Sequence, residues 1–193
     1  MIIVYIHGAN ATGNSFNYIR QKLKYDNELV LEYDSKDGFD HNLESMISQL
    51  KDCKDMFFIC HSLGGIYSVH LSDIFSNNVL GAVTLSTPYN GAEIANYAKH
   101  LLPFSKLLRD IGTNSAPIKD SLNISIKHPW TNIVTIQGSS PWMVNPNDGV
   151  VTIKSMTCRD DMNLIEIKSN HYEIMLNDDV VDIIKTKIKE TTK

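Results

Sequence analysis

Ser62 stands at the end of the apolar run Phe57-Phe58-Ile59-Cys60-His61, and Leu63-Gly64-Gly65 follow it directly. This is the pattern of a strand that turns sharply into a helix with a serine at the apex. A free serine hydroxyl is a weak nucleophile. It becomes useful when the fold exposes it and a base takes its proton. The chemistry open to such a serine is acyl transfer, provided the chain also supplies a base, an acid and amide donors. Seven histidines compete for the role of base: His7, His41, His61, His70, His100, His128 and His171. The candidate acids are Asp34, Asp37, Asp148, Asp160 and Asp161. Cys60, two residues before the apex, is a rival nucleophile, but a thiol buried on a strand is inert.

The elements that must position these groups can be read from periodicity. Ile2–Ile6, Leu29–Tyr33, Met56–Ile59, Val79–Leu85, Ile133–Ile136 and Asn163–Ile167 are short and rich in β-branched or aromatic residues. Several are continuously apolar, as strands buried on both faces tend to be. Between them lie helical stripes. Phe16, Ile19 and Leu23 form one and Leu43, Ile47 and Leu50 a second. A third helix follows Ser62 and ends near Ser76-Asn77-Asn78. The last helix starts near Asp178 and aligns Val180, Val181, Ile184 and Ile188, with acids in its first turn. Strand–helix alternation implies an α/β fold: a mostly parallel sheet of about six strands with helices on both faces.

Chemistry in such sheets gathers outside the carboxyl ends of the strands. The segments that follow strands are His7-Gly8-Ala9-Asn10, Ser62, Ser86-Thr87-Pro88, Ser139 to Gly149, and Ser169-Asn170-His171. All would open on one edge. His128, Asp160 and Asp161 precede strands and fall at the other edge. His41, His70 and His100 lie within helical patterns. Pro146-Asn147-Asp148-Gly149 is also a good turn sequence, so Asp148 has a structural reason to be there.

The chain resembles the α/β-hydrolase superfamily, in its small lipase and esterase branch. His7-Gly8 with Ser15-Phe16 is similar to the H-G-x…S-F oxyanion segment of bacterial lipases. Cys60-His61-Ser62-Leu63-Gly64-Gly65 resembles their G-H-S-x-G-G nucleophile elbow, with Cys60 in place of the first glycine. Ser86-Thr87-Pro88-Tyr89-Asn90-Gly91 resembles their S-T-P-x-x-G stretch, and Asn147-Asp148-Gly149-Val150-Val151 their D-G-V-V acid segment. The resemblance runs from about residue 1 to residue 176.

The resemblance implies one α/β-hydrolase domain over residues 1–193 that cleaves carboxylic acyl esters. Ser62 would be the nucleophile, His171 the base and Asp148 the acid, in the family's chain order of Ser…Asp…His. The backbone N–H groups of Leu63 and Ala9 would form the oxyanion hole, with Asn10 as a side-chain helper. His7 would prop the oxyanion loop, and His61 would point away from the nucleophile. Asp34 and Asp37 follow the second strand, where fewer relatives carry the acid. This machinery needs no metal or organic cofactor. The same groups would serve a thioesterase, amidase or acyltransferase. From a different class, an inactive fold of this kind could act as a lipid-binding or interaction module. The intact Ser62, Asp148 and His171 argue against that.

The region at about 92–130 would carry a small helical lid in the family. Ile94, Tyr97, Ala98, Leu101 and Leu102 share one helical face. Pro103 interrupts, and Phe104, Leu107, Leu108 and Ile111 form another. The alternative is that both stripes pack on the sheet. A lid would make the pocket apolar and suited to an acyl chain.

Composition narrows the partners. A net charge of −4 without a basic stripe gives no nucleic-acid signature. The apolar runs are strand-sized, so no membrane span is expected. Met1 to Gly8 lacks the charged region and cleavage site of a signal peptide. Cys53, Cys60 and Cys158 are odd in number and lack metal spacing, which fits a reducing, cytoplasmic compartment.

Overall fold

The computed structural model describes residues 1–93, 95, 104–141 and 143–191. Six strands form one parallel sheet: β1 (Ile2–Ile6), β2 (Glu28–Leu31), β3 (Met56–His61), β4 (Val79–Leu85), β5 (Trp130–Thr135) and β6 (Asn163–Ile167). The order across the sheet is β2-β1-β3-β4-β5-β6. The chain leaves β1 for one side, then returns past it to add β3 on the other. β1 and β3 are therefore neighbours whose following loops part in opposite directions. Open parallel sheets form their ligand crevice at such a reversal.

Alternate side chains of each strand feed opposite faces. Val4 and Ile6 of β1 and Phe58 and Cys60 of β3 face one core. There they meet α2 (Phe39–Leu50) and α3 (Leu63–Ile74) through Phe39, Met46, Ile66 and Tyr67, and Ile118 of α5 (Ala116–Asn123). Ile3, Tyr5, Phe57 and Ile59 face the other core. There they meet Ile19 of α1 (Asn17–Leu23) and the Val180, Val181, Ile184 and Ile188 stripe of α7 (Asp178–Thr191). The sheet is thus covered on both sides, as the uninterrupted apolar strands demand.

The boundaries differ from the sequence reading in instructive places. β5 begins at Trp130, three residues before the apolar run, because Thr131 and Asn132 continue the ladder with β4. Both are buried polar residues. Asn132 Oδ1 accepts from the Thr84 hydroxyl at 2.9 Å and its Nδ2 donates to the Met156 carbonyl at 2.9 Å. β2 stops at Leu31 because its neighbour β1 ends at Ile6, the partner of Leu31. The first helical stripe divides into a 3-10 turn, Gly13–Phe16, and α1, which ends where Lys24 adopts a left-handed φ of 52°.

In the region expected to hold a lid, Ile94, Tyr97, Ala98, His100, Leu101, Leu102 and Pro103 lie outside the described residues. Its described part contains α4 (Lys106–Asp110) and α5. Ile118 of α5 is buried in the core, so that helix packs against the body. α4 is tied down at one end: Asp110 Oδ2 accepts from the Phe39 N–H at 2.8 Å, which caps α2. A last short helix, α6 (Ile153–Met156), follows the acid loop. Among the described residues, no helix is long and apolar enough to cross a membrane.

Candidate active site

The turn at Ser62 is strained and held. Ser62 has φ 52° and ψ −121°, a conformation that a non-glycine residue reaches only at a cost of about 1–3 kcal/mol. Two bonds over-determine it. The Ser62 N–H donates to the Leu85 carbonyl at 2.8 Å, and the Ser62 carbonyl accepts from the Gly65 N–H at 2.9 Å. The turn also needs room. A Cβ on Gly64 would lie 2.1 Å from the Ile6 carbonyl oxygen, and one on Gly65 would lie 2.0 Å from Thr87 Oγ1. The two glycines after Ser62 therefore let α3 start against the ends of β1 and β4. Cys60 stands where the lipase elbow has glycine. It is fully buried, and its thiol is pushed up to about 12 by that burial.

Three separated segments meet at the serine. His171 Nε2 lies 3.1 Å from Ser62 Oγ, and His171 Nδ1 lies 2.8 Å from Asp148 Oδ2. The His171 N–H also donates to the Asp148 carbonyl at 3.1 Å, which ties the two loops by their backbones. The two oxygens of Asp148 divide their work. Oδ1 accepts the N–H groups of Val150 and Val151 at 3.0 and 2.8 Å, closing the turn. Oδ2 faces His171 and accepts the Thr135 hydroxyl at 2.6 Å. Burial raises the Asp148 carboxyl, but the hydrogen bonds and charge of His171, with Thr135 and Val151, outweigh it and hold the group below its usual value.

Ala9 and Leu63 border the same space. Ala9 follows β1 and Leu63 opens α3, so they stand on the two loops that part at the sheet's reversal. Among the described residues, neither N–H has a hydrogen-bond partner. Asn10 also borders the cavity, with its own N–H given to Ser35 Oγ at 3.0 Å. His7 supports this loop from behind. Its ring stacks on Tyr33 at 4.3 Å, its Nδ1 bonds the Gly8 carbonyl at 2.9 Å, and the Tyr33 hydroxyl donates to the His7 carbonyl at 3.0 Å.

The remaining candidates lie elsewhere. His70 Nε2 donates to the Pro117 carbonyl at 3.0 Å, joining α3 to α5. Asp161 is paired with Arg159 at 2.6 Å and accepts from the Ile126 N–H. Asp34 closes a local turn on the Lys36 N–H at 2.9 Å. His41 lies in α2 and His128 precedes β5.

His61 has a partner that the sequence did not signal: its Nε2–H donates to the His171 carbonyl at 2.9 Å. Burial, followed by the neighbouring His171, drives its imidazole down to about 3, so it is neutral. Sequence reasoning also missed Thr135 and Ser86 as neighbours of the acid. Ser86 lay in the S-T-P segment, which offered a signal for its position but not for its partner. Thr135 carried no signal, because a threonine near a strand end is ordinary.

The cavity over Ser62 has a volume of about 570 Å³. Leu107, Leu108 and Ile111 wall one side, and Val150, Val151, Met175 and Leu176 line it as well. Such walls suit an apolar chain, while Asn10, Asn14, Ser15, Ser62 and His171 are among the polar residues that also line the cavity.

The described residues share a fold with many solved proteins. The mature lipase BlEst2 of Bacillus licheniformis superposes with a TM-score of 0.72 at 15% identity, covering 95% of this chain and 90% of that one. The monoacylglycerol lipase of Paleococcus ferrophilus gives 0.64 at 12% identity, covering 97% and 94%. An extracellular alpha/beta-hydrolase from a Paenibacillus species gives 0.60 at 17% identity, covering 99% and 98%. The chain has the α/β-hydrolase fold. No protein-family model and no curated protein sequence matches it. The α/β-hydrolase fold accounts for the site's position: Ser62, Leu63 and Ala9 follow β3 and β1, and Asp148 and His171 lie on the loops after β5 and β6.

Proposed function

We propose that this α/β-hydrolase fold is a serine hydrolase that cleaves carboxylic acyl esters through an acyl-enzyme. The observation that carries the reading is the continuous hydrogen-bonded line Ser62–His171–Asp148 at the floor of an apolar-walled cavity. Ser62 Oγ attacks the acyl carbonyl while His171 Nε2 takes its proton. Asp148 holds the imidazole tautomer with Nδ1–H and stabilises the imidazolium. The developing oxyanion rests on the Ala9 and Leu63 amides. His171 then gives the proton to the leaving alcohol. Water attacks the acyl-enzyme by the same route and frees the acid. Each amide donor contributes roughly 3 kcal/mol in the transition state of such reactions.

The substrate reading rests on the walls. Ala9, Leu63, Leu107, Leu108 and Ile111 offer apolar contact and no charged group for an acyl chain. α4 is read as the lower part of a lid, since its Leu107 and Leu108 face the cavity while Phe104 just before it is 94% exposed. The three free thiols, with Cys60 buried and Cys158 exposed, fit a reducing compartment such as the cytoplasm.

The test is a chain-length series of p-nitrophenyl esters, with fluorophosphonate labelling in parallel. Wild-type protein is expected to hydrolyse the esters and take the label on Ser62. Ser62→Ala should lose both, and His171→Ala should lose turnover by about 10⁴-fold or more. Equal turnover by wild type and His171→Ala would remove His171 from its role.

A further inference from the structure

Behind Asp148 runs a second line of hydrogen bonds, pointing the same way. Thr135 has one hydroxyl proton, and at 2.6 Å it goes to Asp148 Oδ2. Ser86 Oγ lies 2.8 Å from Thr135 Oγ1. Since the Thr135 proton is committed to a carboxylate, Ser86 must be the donor. Both residues are fully buried. Ser86 is also held at φ 52°, the same left-handed region as Ser62, just past the end of β4, the neighbour of β3. Its N–H bonds the Ile133 carbonyl at 2.9 Å, which fixes the kink. A non-glycine residue in that region needs a reason. Here the kink directs a hydroxyl at the end of β5.

We infer that Thr135, backed by Ser86, is a positioning residue for Asp148: a one-way chain of hydroxyls that fixes Oδ2 beneath His171 and sets how strongly the carboxylate draws a proton onto the imidazole. It rests on the reading of Ser62, His171 and Asp148 as the reacting line. The carboxylate's negative charge is shared between His171 Nδ1–H and the Thr135 hydroxyl. Removing the hydroxyl leaves the full charge facing His171. The carboxylate then attracts a developing imidazolium more strongly. The other titratable groups facing this pair are His61, whose ring centre is 4.8 Å from that of His171, and Tyr172 at 5.3 Å. Glu93 accepts from Thr152 on the acid loop at 3.4 Å, and His7 stands behind His61. None of them bonds Asp148 Oδ2, so the effect of Thr135 is separable from theirs.

The experiment is a proton NMR titration of the His171 ring, assigned by its loss in His171→Ala, with the pH dependence of fluorophosphonate labelling alongside. Thr135→Val should move the acid limb of labelling to higher pH, and the midpoint of the His171 resonance with it. Thr135→Ser should restore the wild-type midpoint. Ser86→Ala should move it the same way by less. A purely structural role would leave the midpoint in place while lowering stability. Coincident midpoints in wild type and Thr135→Val would overturn the inference. Should Thr135→Val fail to fold, an unmoved midpoint in Ser86→Ala overturns it equally. Because the NMR midpoint needs no turnover, absent esterase activity with a shifted midpoint sinks the proposed function and leaves the hydroxyl chain standing.

Discussion

His61 Nε2–H donates to the backbone carbonyl of His171 across 2.9 Å, so the residue before Ser62 clamps the residue that faces Ser62. The bond needs a proton on Nε2; burial, not the bond, is what disfavours the charged ring. The folded value is depressed to about 3 from an ordinary 6.5, so the unfolded chain binds the extra proton between those limits. Stability from this group is complete above about pH 6.5 and is lost as pH falls towards 3. His61→Gln keeps an N–H donor and removes the titration. Its melting temperature is expected to fall less steeply than that of wild type through the same window, measured by circular dichroism. His61→Ala should lose the clamp and lower turnover by about tenfold.

Gly64 stands where α3 meets β1. Its added methyl would meet backbone, the Ile6 carbonyl at 2.1 Å, which cannot rotate away. Gly64→Ala is therefore expected to destabilise by more than about 2 kcal/mol and to abolish fluorophosphonate labelling. Denaturant unfolding checks the first, gel fluorescence the second. A variant with wild-type stability would show that α3 can move away from β1 at little cost.

The acyl wall makes a separate prediction. Leu108 lines the cavity from α4, and a larger side chain there shortens the space. Leu108→Trp should shift preference towards shorter p-nitrophenyl esters, with kcat/KM for the longest chains down by about tenfold or more. Activity on the acetate should stay near wild type. An unchanged profile would place the acyl chain elsewhere.

Thiol chemistry separates the two nucleophile candidates. Cys60 is fully buried and its thiol is pushed up to about 12, whereas Cys158 is exposed. Iodoacetamide on the folded protein at neutral pH should modify Cys158 and spare Cys60, by peptide mass, with activity retained. Cys60→Ala should keep its labelling by fluorophosphonate. Loss of labelling in that variant would reopen the question of which group reacts.

The fold was legible wherever burial imposed one chemistry on a whole element. β1, β3 and β4 are apolar on both faces because helices cover both, and the apolar run finds them directly. The apolar run marks β5 only from Ile133 because Thr131 and Asn132 are buried polar residues, Asn132 satisfied by the Thr84 hydroxyl and the Met156 carbonyl. At the site, Ser62, Asp148 and His171 carry local signatures: an elbow, a turn and a polar segment after a strand. Thr135 and Ser86 act through partners 13 and 49 residues distant in the chain, and no local pattern encodes such a pairing. The direction of the His61 ring was illegible for the same reason, since its partner lies 110 residues away.

The serine and the imidazole that faces it are separated by 109 positions in the polymer. β6, the last strand laid against the sheet's edge, delivers the imidazole. A ribosome therefore exposes the elbow long before residue 171 exists. On the proposed reading, the growing chain holds an ordinary hydroxyl until β6 docks, and the topology postpones reactivity to that event.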